Sequence, residues 1–199
     1  MLQRLFHLSR RILALVLAMI GLLAAAVGVG YLVIERDGNV HPIEEGVAYR
    51  SAQLNGHQLR ELASRVGIRA IVNLRGAKPG KSWYEEEVAV ADELGIQHVD
   101  YGFSASSPLS IEQMTELQKL FERIPQPFLI HCKAGADRTG LASALYLAAK
   151  GRGESDIRAA LSIRYGHFPF FDVFDKTSAM DDSLDLFLRQ RSNGLARRP

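Results

Sequence analysis

The apolar positions divide the chain into two unlike parts. From Ile12 to Ile34 no charged side chain occurs across 23 residues, ILALVLAMIGLLAAAVGVGYLVI. A helix rising ~1.5 Å per residue would carry this run ~34 Å, enough to cross a hydrocarbon core of ~30 Å. Beyond it, apolar residues come in short bursts separated by polar turns. Gly46 to Arg50, Arg69 to Leu74, Gln97 to Phe103 and Phe128 to His131 read as strands. Leu59, Leu62, Ala63 and Val66 fall at i, i+3, i+4 and i+7, the stripe of an amphipathic helix. A second helix is expected from Trp83 to Leu94. Ser110 with Gln113 forms a capping box that opens a third, with Leu117, Leu120, Phe121 and Ile124 as its apolar face. Gly140 to Ala149 reads as a buried helix, and Glu154 to Ile163 and Ser178 to Arg189 complete the set. Strands alternating with helices predict an α/β fold, a central mostly parallel sheet flanked by helices and preceded by one transmembrane helix.

The organisation expected is a cytoplasmic terminus (1–11), an anchor (12–34), a short polar linker (35–45) and one globular domain (46–199). Arg4, Arg10 and Arg11 precede the apolar run, while Glu35, Arg36 and Asp37 follow it. A basic amino-terminal flank keeps that end in the cytoplasm, so the domain is expected in the periplasm of a bacterial inner membrane. A cleaved signal peptide is the competing expectation, with Ala24-Ala25-Ala26 as its small-residue site. The net charge is +2, and no basic helix face or interleaved aromatic platform points to nucleic acid.

One segment carries chemistry. Directly after Pro127-Phe128-Leu129-Ile130 stands His131-Cys132-Lys133-Ala134-Gly135-Ala136-Asp137-Arg138-Thr139-Gly140, and Cys132 is the single cysteine of the 199 residues. That excludes an internal disulfide and a cysteine-rich metal site. A loop from strand to helix turns backbone N–H groups and the helix N-terminus toward an anion. Arg138 adds a planar fork of donors matched to two phosphate oxygens. Lys133, Ala134, Gly135, Ala136 and Asp137 would complete the cradle, the small residues letting the backbone come close. Such an environment favours a thiolate at Cys132, the form that attacks phosphorus. The Thr139 hydroxyl would hydrogen-bond the sulfur as it leaves. His131 is expected to shape the loop from inside. The chemistry needs no metal or cofactor.

His131 to Gly140 resembles the signature of the cysteine-dependent protein tyrosine phosphatase superfamily, dual-specificity branch. Its wording is especially similar to the lipid-phosphatase members. Tyr49-Arg50-Ser51-Ala52-Gln53 and Ile71-Val72-Asn73-Leu74-Arg75-Gly76 resemble the atypical plant-and-fungal group and its bacterial relatives. A rhodanese loop has one residue fewer between Cys and Arg. The resemblance implies hydrolysis of a phosphomonoester through a thiophosphate intermediate. It also implies an upstream aspartate as general acid and base, for which Asp100, 32 residues before Cys132, has a similar separation. Asp100 also reads as a solvent-facing strand residue, and Asp137 is the other nearby carboxylate. Ser104 to Pro108, where the acid-bearing loop would otherwise lie, holds no acid. Arg75, Lys78 and Lys81 either recruit an anionic substrate or form a solvated loop. Tyr165 to Pro169 either borders the site or ends a helix. The substrate class stays open between phosphoprotein and a phosphorylated lipid or inositol-type molecule, and a phosphate-binding module without turnover is a further alternative.

Overall fold

A computed structural model describes residues 11–22, 25, 28–30, 37–168 and 178–196, with side chains to residue 193. Residues 1–36 and 37–199 form separate units. Residues 11–22 are helical, but the expected span from Ile12 to Ile34 lies partly outside the described residues. Among the described residues, no helix is long and apolar enough to cross a membrane.

The second unit is built on one five-stranded sheet. Its strands are β1 (His41–Glu44), β2 (Ala48–Ser51), β3 (Ala70–Asn73), β4 (Gln97–Asp100) and β5 (Phe128–His131), in the order β1-β2-β5-β3-β4. All neighbours pair in parallel except β1, which runs antiparallel to β2. The helices are α1 (Gly56–Val66), α2 (Ser82–Leu94), α3 (Ile111–Arg123), α4 (Asp137–Ala149), α5 (Glu154–Ala159) and α6 (Ser178–Ala196), with a 3₁₀ turn at Ile163–Tyr165.

Alternation along the strands sends side chains to two cores. Ala48, Val72, Phe128 and Ile130 meet Met114, Leu117 and Phe121 of α3, Leu141 and Leu145 of α4, and Met180 and Leu184 of α6. Tyr49, Ile71 and Leu129 meet Leu59 and Leu62 of α1 and Val90 and Ala91 of α2. Capping boxes start both helices that carry strong apolar stripes, Asn55 with Gln58 at α1 and Ser110 with Gln113 at α3.

Several boundaries differ from expectation, among them the last helix, expected to end at Arg189 but running to Ala196. The segment expected as a linker contributes β1, a half-buried edge strand whose HPIE sequence lacks an apolar alternation. The strand expected to reach Phe103 ends at Asp100, where Gly102 comes against the backbone of Gly76. α4 begins at Asp137 rather than Gly140, so the last cradle residues are already helical. The helix expected through Ile163 stops at Ala159 and gives way to the 3₁₀ turn.

The register gathers the chemistry at one edge. Asp100 pairs with Asn73 and Asn73 with His131, so the carboxyl ends of β4, β3 and β5 form a common rim. Ligands of open parallel sheets bind outside such rims.

Candidate active site

The loop from Cys132 to Ala136 is shaped by donors that grip its carbonyls from outside. Gln53 N–H donates to Lys133 O at 3.1 Å, Asn39 Nδ2 to Ala134 O at 3.0 Å, and Arg50 Nη2 to Gly135 O at 2.8 Å. The Gly140 amide donates to Ala136 O at 2.7 Å. A trans peptide places N–H and C=O on opposite sides. With four successive carbonyls drawn outward, the amides of Ala134, Gly135, Ala136 and Asp137 therefore point into the loop. Gly135 has φ +71°, and a Cβ there would lie 2.7 Å from Ser51 O, so only glycine fits between cradle and β2.

Arg50 is the brace behind this arrangement. It is 1% exposed, its Nη1 donates to Ala160 O at 2.6 Å, and its guanidinium lies 3.8 Å from the Tyr165 ring centroid. Burial pushes its pKa down to about 10, against the pull of Tyr165 and Cys132. Asn39 also donates to Tyr165 O at 3.0 Å, tying the 3₁₀ turn to the cradle.

Cys132 is buried at 3% exposure, and Thr139 is fully buried in the first turn of α4 with its hydroxyl lacking a partner. Arg138 Nη1 is fixed by Leu74 O at 3.1 Å and Phe103 O at 3.3 Å. Its Nε is buried and donates to nothing. One edge of the fork is anchored, and a donor on the guanidinium stays available for an anion. Lys133 and Ala134 are exposed at the mouth.

Two further groups flank the cradle. Glu87 Oε1 lies 2.9 Å from His98 Nε2 and 3.2 Å from His131 Nε2, the latter contact lying off the line of a hydrogen bond. Gln53 Nε2 donates to Glu87 Oε2 at 2.5 Å. Burial raises the Glu87 pKa, but the charge of nearby His131, with the hydrogen bond and charge of His98, brings it down to about 2. Gln53 in turn accepts from Arg75 Nη1 at 2.9 Å, and the Arg75 guanidinium stacks 3.3 Å above the Trp83 ring centroid. Burial and the nearby Arg138 lower the pKa of Arg75, with Glu87 and Cys132 opposing. Lys78 and Lys81 stand exposed on the same loop.

On the other side, Asp137 Oδ1 lies 2.7 Å from His167 Nδ1, whose Nε2 lies 2.9 Å from Asp181 Oδ2. Burial lowers the His167 pKa, yet the bonds to Asp137 and Asp181 outweigh it and lift it to about 9. His167 thus joins the first turn of α4 to α6.

Asp100 borders this ring, its Oδ2 lying 4.0 Å from His98 Nδ1. Its Oδ1 accepts from Asn73 Nδ2 at 2.7 Å and its Oδ2 from Tyr84 Oη at 2.6 Å, which raises the Tyr84 pKa to about 12. Asn73 also accepts from the Arg75 amide, holding the end of β3 to that carboxylate.

The tyrosine phosphatase family model matches residues 29–160. The chain belongs to the tyrosine phosphatase family. It is by that membership a phosphatase, a hydrolase of phosphoesters, of the cysteine-based superfamily. No curated protein matches the chain. Among solved structures, TpbA of P. aeruginosa is 21% identical, covering 76% of this chain and 89% of its own, with a TM-score of 0.55. The core catalytic domain of the PP-IP phosphatase SIW14 from S. cerevisiae is 20% identical over 77% and 93%, with a TM-score of 0.55. Tk-PTP in its G95A form is 22% identical over 76% and 96%, with a TM-score of 0.54. These likenesses concern the fold.

Within this phosphatase, sequence reasoning brought Cys132, Arg138, Thr139 and the residues between them together, and the fold does the same. It missed Asn39 and Glu87, met Arg50 and Gln53 only within a resembling stretch without a role, and offered His167 only as part of the Tyr165 to Pro169 segment that borders the site. Arg50 left one signal, a cation between the apolar Ala48 and Tyr49 of a strand and the small Ser51 and Ala52. Asn39 left none, lying in a polar segment whose contacts are 95 and 126 residues away.

Proposed function

We propose that this phosphatase cleaves phosphomonoesters in two steps. The Cys132 thiolate attacks phosphorus, the P–O bond to the leaving group breaks, and water then hydrolyses the thiophosphate to return the thiolate and inorganic phosphate. Arg138 and the inward amides hold the phosphoryl oxygens as charge builds up in the transition state. Thr139, its hydroxyl otherwise unpartnered, donates to the departing sulfur. Asp100 is the proposed proton donor to the leaving oxygen and the later base toward water. Asn73 and Tyr84 each donate to one of its oxygens, and each oxygen keeps a second lone pair for the proton it transfers.

The observation that carries this reading is the half-used fork of Arg138, fixed by Leu74 O and Phe103 O while its buried Nε has no acceptor. A purely structural arginine would have its donors satisfied. Rapid quenching with a labelled aryl phosphate tests the reading. Label on Cys132 in a burst of one equivalent is expected, whereas binding without label transfer would make the chain a phosphate-binding module.

The substrate we favour is phosphotyrosine, or phosphoserine and phosphothreonine beside it, in protein; a TpbA structure is described as a complex with pTyr. A phosphorylated lipid or inositol-type substrate is the second reading, favoured by Arg75 beside Arg138 and by the name PP-IP phosphatase of SIW14. Comparing kcat/KM for phosphopeptides and phosphoinositides separates the two. We further propose that residues 12–34 anchor the protein in a bacterial inner membrane with the catalytic domain in the periplasm, on the strength of the uncharged run and the arginines before it. A periplasm-active reporter fused after Pro199 should then be active.

A further inference from the structure

A cleft of about 230 Å³ opens between β1, α4, α5 and the 3₁₀ turn. Its lining includes Ile43, Arg50, Leu147, Arg152, Ala159 and Tyr165, and neither Cys132, Thr139 nor Arg138. The walls are mixed. Ile43 and Leu147 supply apolar surface, while Arg50, Arg152 and Asp156 supply two cations and one carboxylate. Arg50 is the informative member. Its two terminal nitrogens are committed to Ala160 O and to the cradle carbonyls, but its Nε is buried and donates to nothing. No carboxylate pairs with it in any ion pair among the described residues. A buried guanidinium with an unused donor and no paired carboxylate is costly to leave without an acceptor.

We infer that this cleft is a second binding site, separate from the catalytic mouth, for a small carboxylate carrying a short apolar body. The carboxylate accepts from Arg152 and, once a shift of the Arg50 side chain uncovers its buried Nε, from Arg50, while the apolar body packs on Ile43 and Leu147. Size agrees, since a cavity of about 150 Å³ already admits a benzene ring. The site is wired to the cradle twice. Arg50 grips the carbonyls of Gly135 and Ala136, and Ser143, also in the lining, donates to Thr139 O at 2.7 Å. A carboxylate that draws on Arg50 therefore alters the grip that turns the cradle amides inward. By reciprocity, an oxyanion in the cradle changes carboxylate affinity by the factor with which the carboxylate changes oxyanion affinity.

Equilibrium dialysis of radiolabelled benzoate against the full chain, with vanadate saturating the cradle, tests the inference. One saturable site is expected, with a dissociation constant on the order of 1 mM. Neutral benzamide should bind at least about tenfold more weakly, because it loses the charge-assisted contacts. Ala159→Trp, a change at an exposed position on the lining, should abolish the site without changing turnover of an aryl phosphate in the absence of benzoate. Absence of a saturable site under vanadate would overturn the inference. Equal binding of benzamide, or undiminished binding to folded Ala159→Trp, would overturn it as well.

Discussion

The cradle after β5 and the rim after β4 hold their polar groups in opposite ways. Around Cys132 the fixed contacts are made to backbone. Arg50, Asn39 and Gln53 grip carbonyls, Arg138 is anchored by Leu74 O and Phe103 O, and the donors left over face inward. Around Asp100 the contacts are made to side chains, and the two carboxylate oxygens accept from Asn73 and Tyr84. The first region is organised before any ligand arrives, so no reorganisation is needed as charge builds up in the transition state. The second must first take up the proton it is to transfer. On the proposed mechanism, electrostatic stabilisation and proton transfer fall on surfaces of different readiness, and substitution separates them.

The largest effect is expected at the nucleophile. Cys132→Ser should lower turnover by ~10⁶-fold, the scale of nucleophile deletion in covalent hydrolases. Vanadate binding should survive, because the carbonyl grips do not involve the sulfur; loss of binding together with turnover would mean that the cradle is not independently organised. Next comes Asp100→Asn, expected to slow an alkyl phosphate ~10²–10⁴-fold while barely affecting a nitrophenyl phosphate, whose leaving group needs no proton. If Asp137→Asn shows that pattern instead, the acid lies within the cradle and the contrast between the regions collapses. Arg138→Lys should cost ~10²–10³-fold on both substrates alike, since an ammonium cannot hold Leu74 O, Phe103 O and a phosphoryl group together. A loss restricted to the alkyl substrate would assign Arg138 to the wrong region.

The smallest effect is on stability. His167 has its pKa raised to about 9, above its ordinary value near 6.5. A raised pKa means the folded state binds the proton more tightly. The stabilisation is therefore complete below about pH 6.5 and is lost as pH rises through about 9. Urea unfolding should show the native protein losing about 2–3 kcal/mol across that window relative to His167→Gln. Parallel pH slopes for the two proteins would remove the Asp137–His167–Asp181 link from the account.

What the sequence disclosed follows from how local each signal is. The strand Phe128 to His131, the capped helix at Ser110 and the cradle from Cys132 to Arg138 are each written within ten or so residues, and all were legible. β1 was not, because HPIE owes its strand state to pairing with β2 rather than to its own pattern. The end of β4 was set by Gly76, 26 residues from Gly102. The braces were least visible, since Arg50 reaches 85 residues to Gly135 and His167 reaches 30 to Asp137. The unbroken apolar run carried the expectation of an anchor, and that run lies partly outside the described residues.

The contact of Gly76 with Gly102 sets a rule for how this family member tolerates variation. A Cβ on Gly102 would come 2.8 Å from the Gly76 Cα, and one on Gly76 would come 3.0 Å from the Gly102 Cα. These two residues lie next to the stretches that supply Leu74 O and Phe103 O to Arg138. In a randomised library screened for turnover, the two codons should behave as a single unit of inheritance. Variants that change either one would drop out together, although neither residue belongs to the cradle.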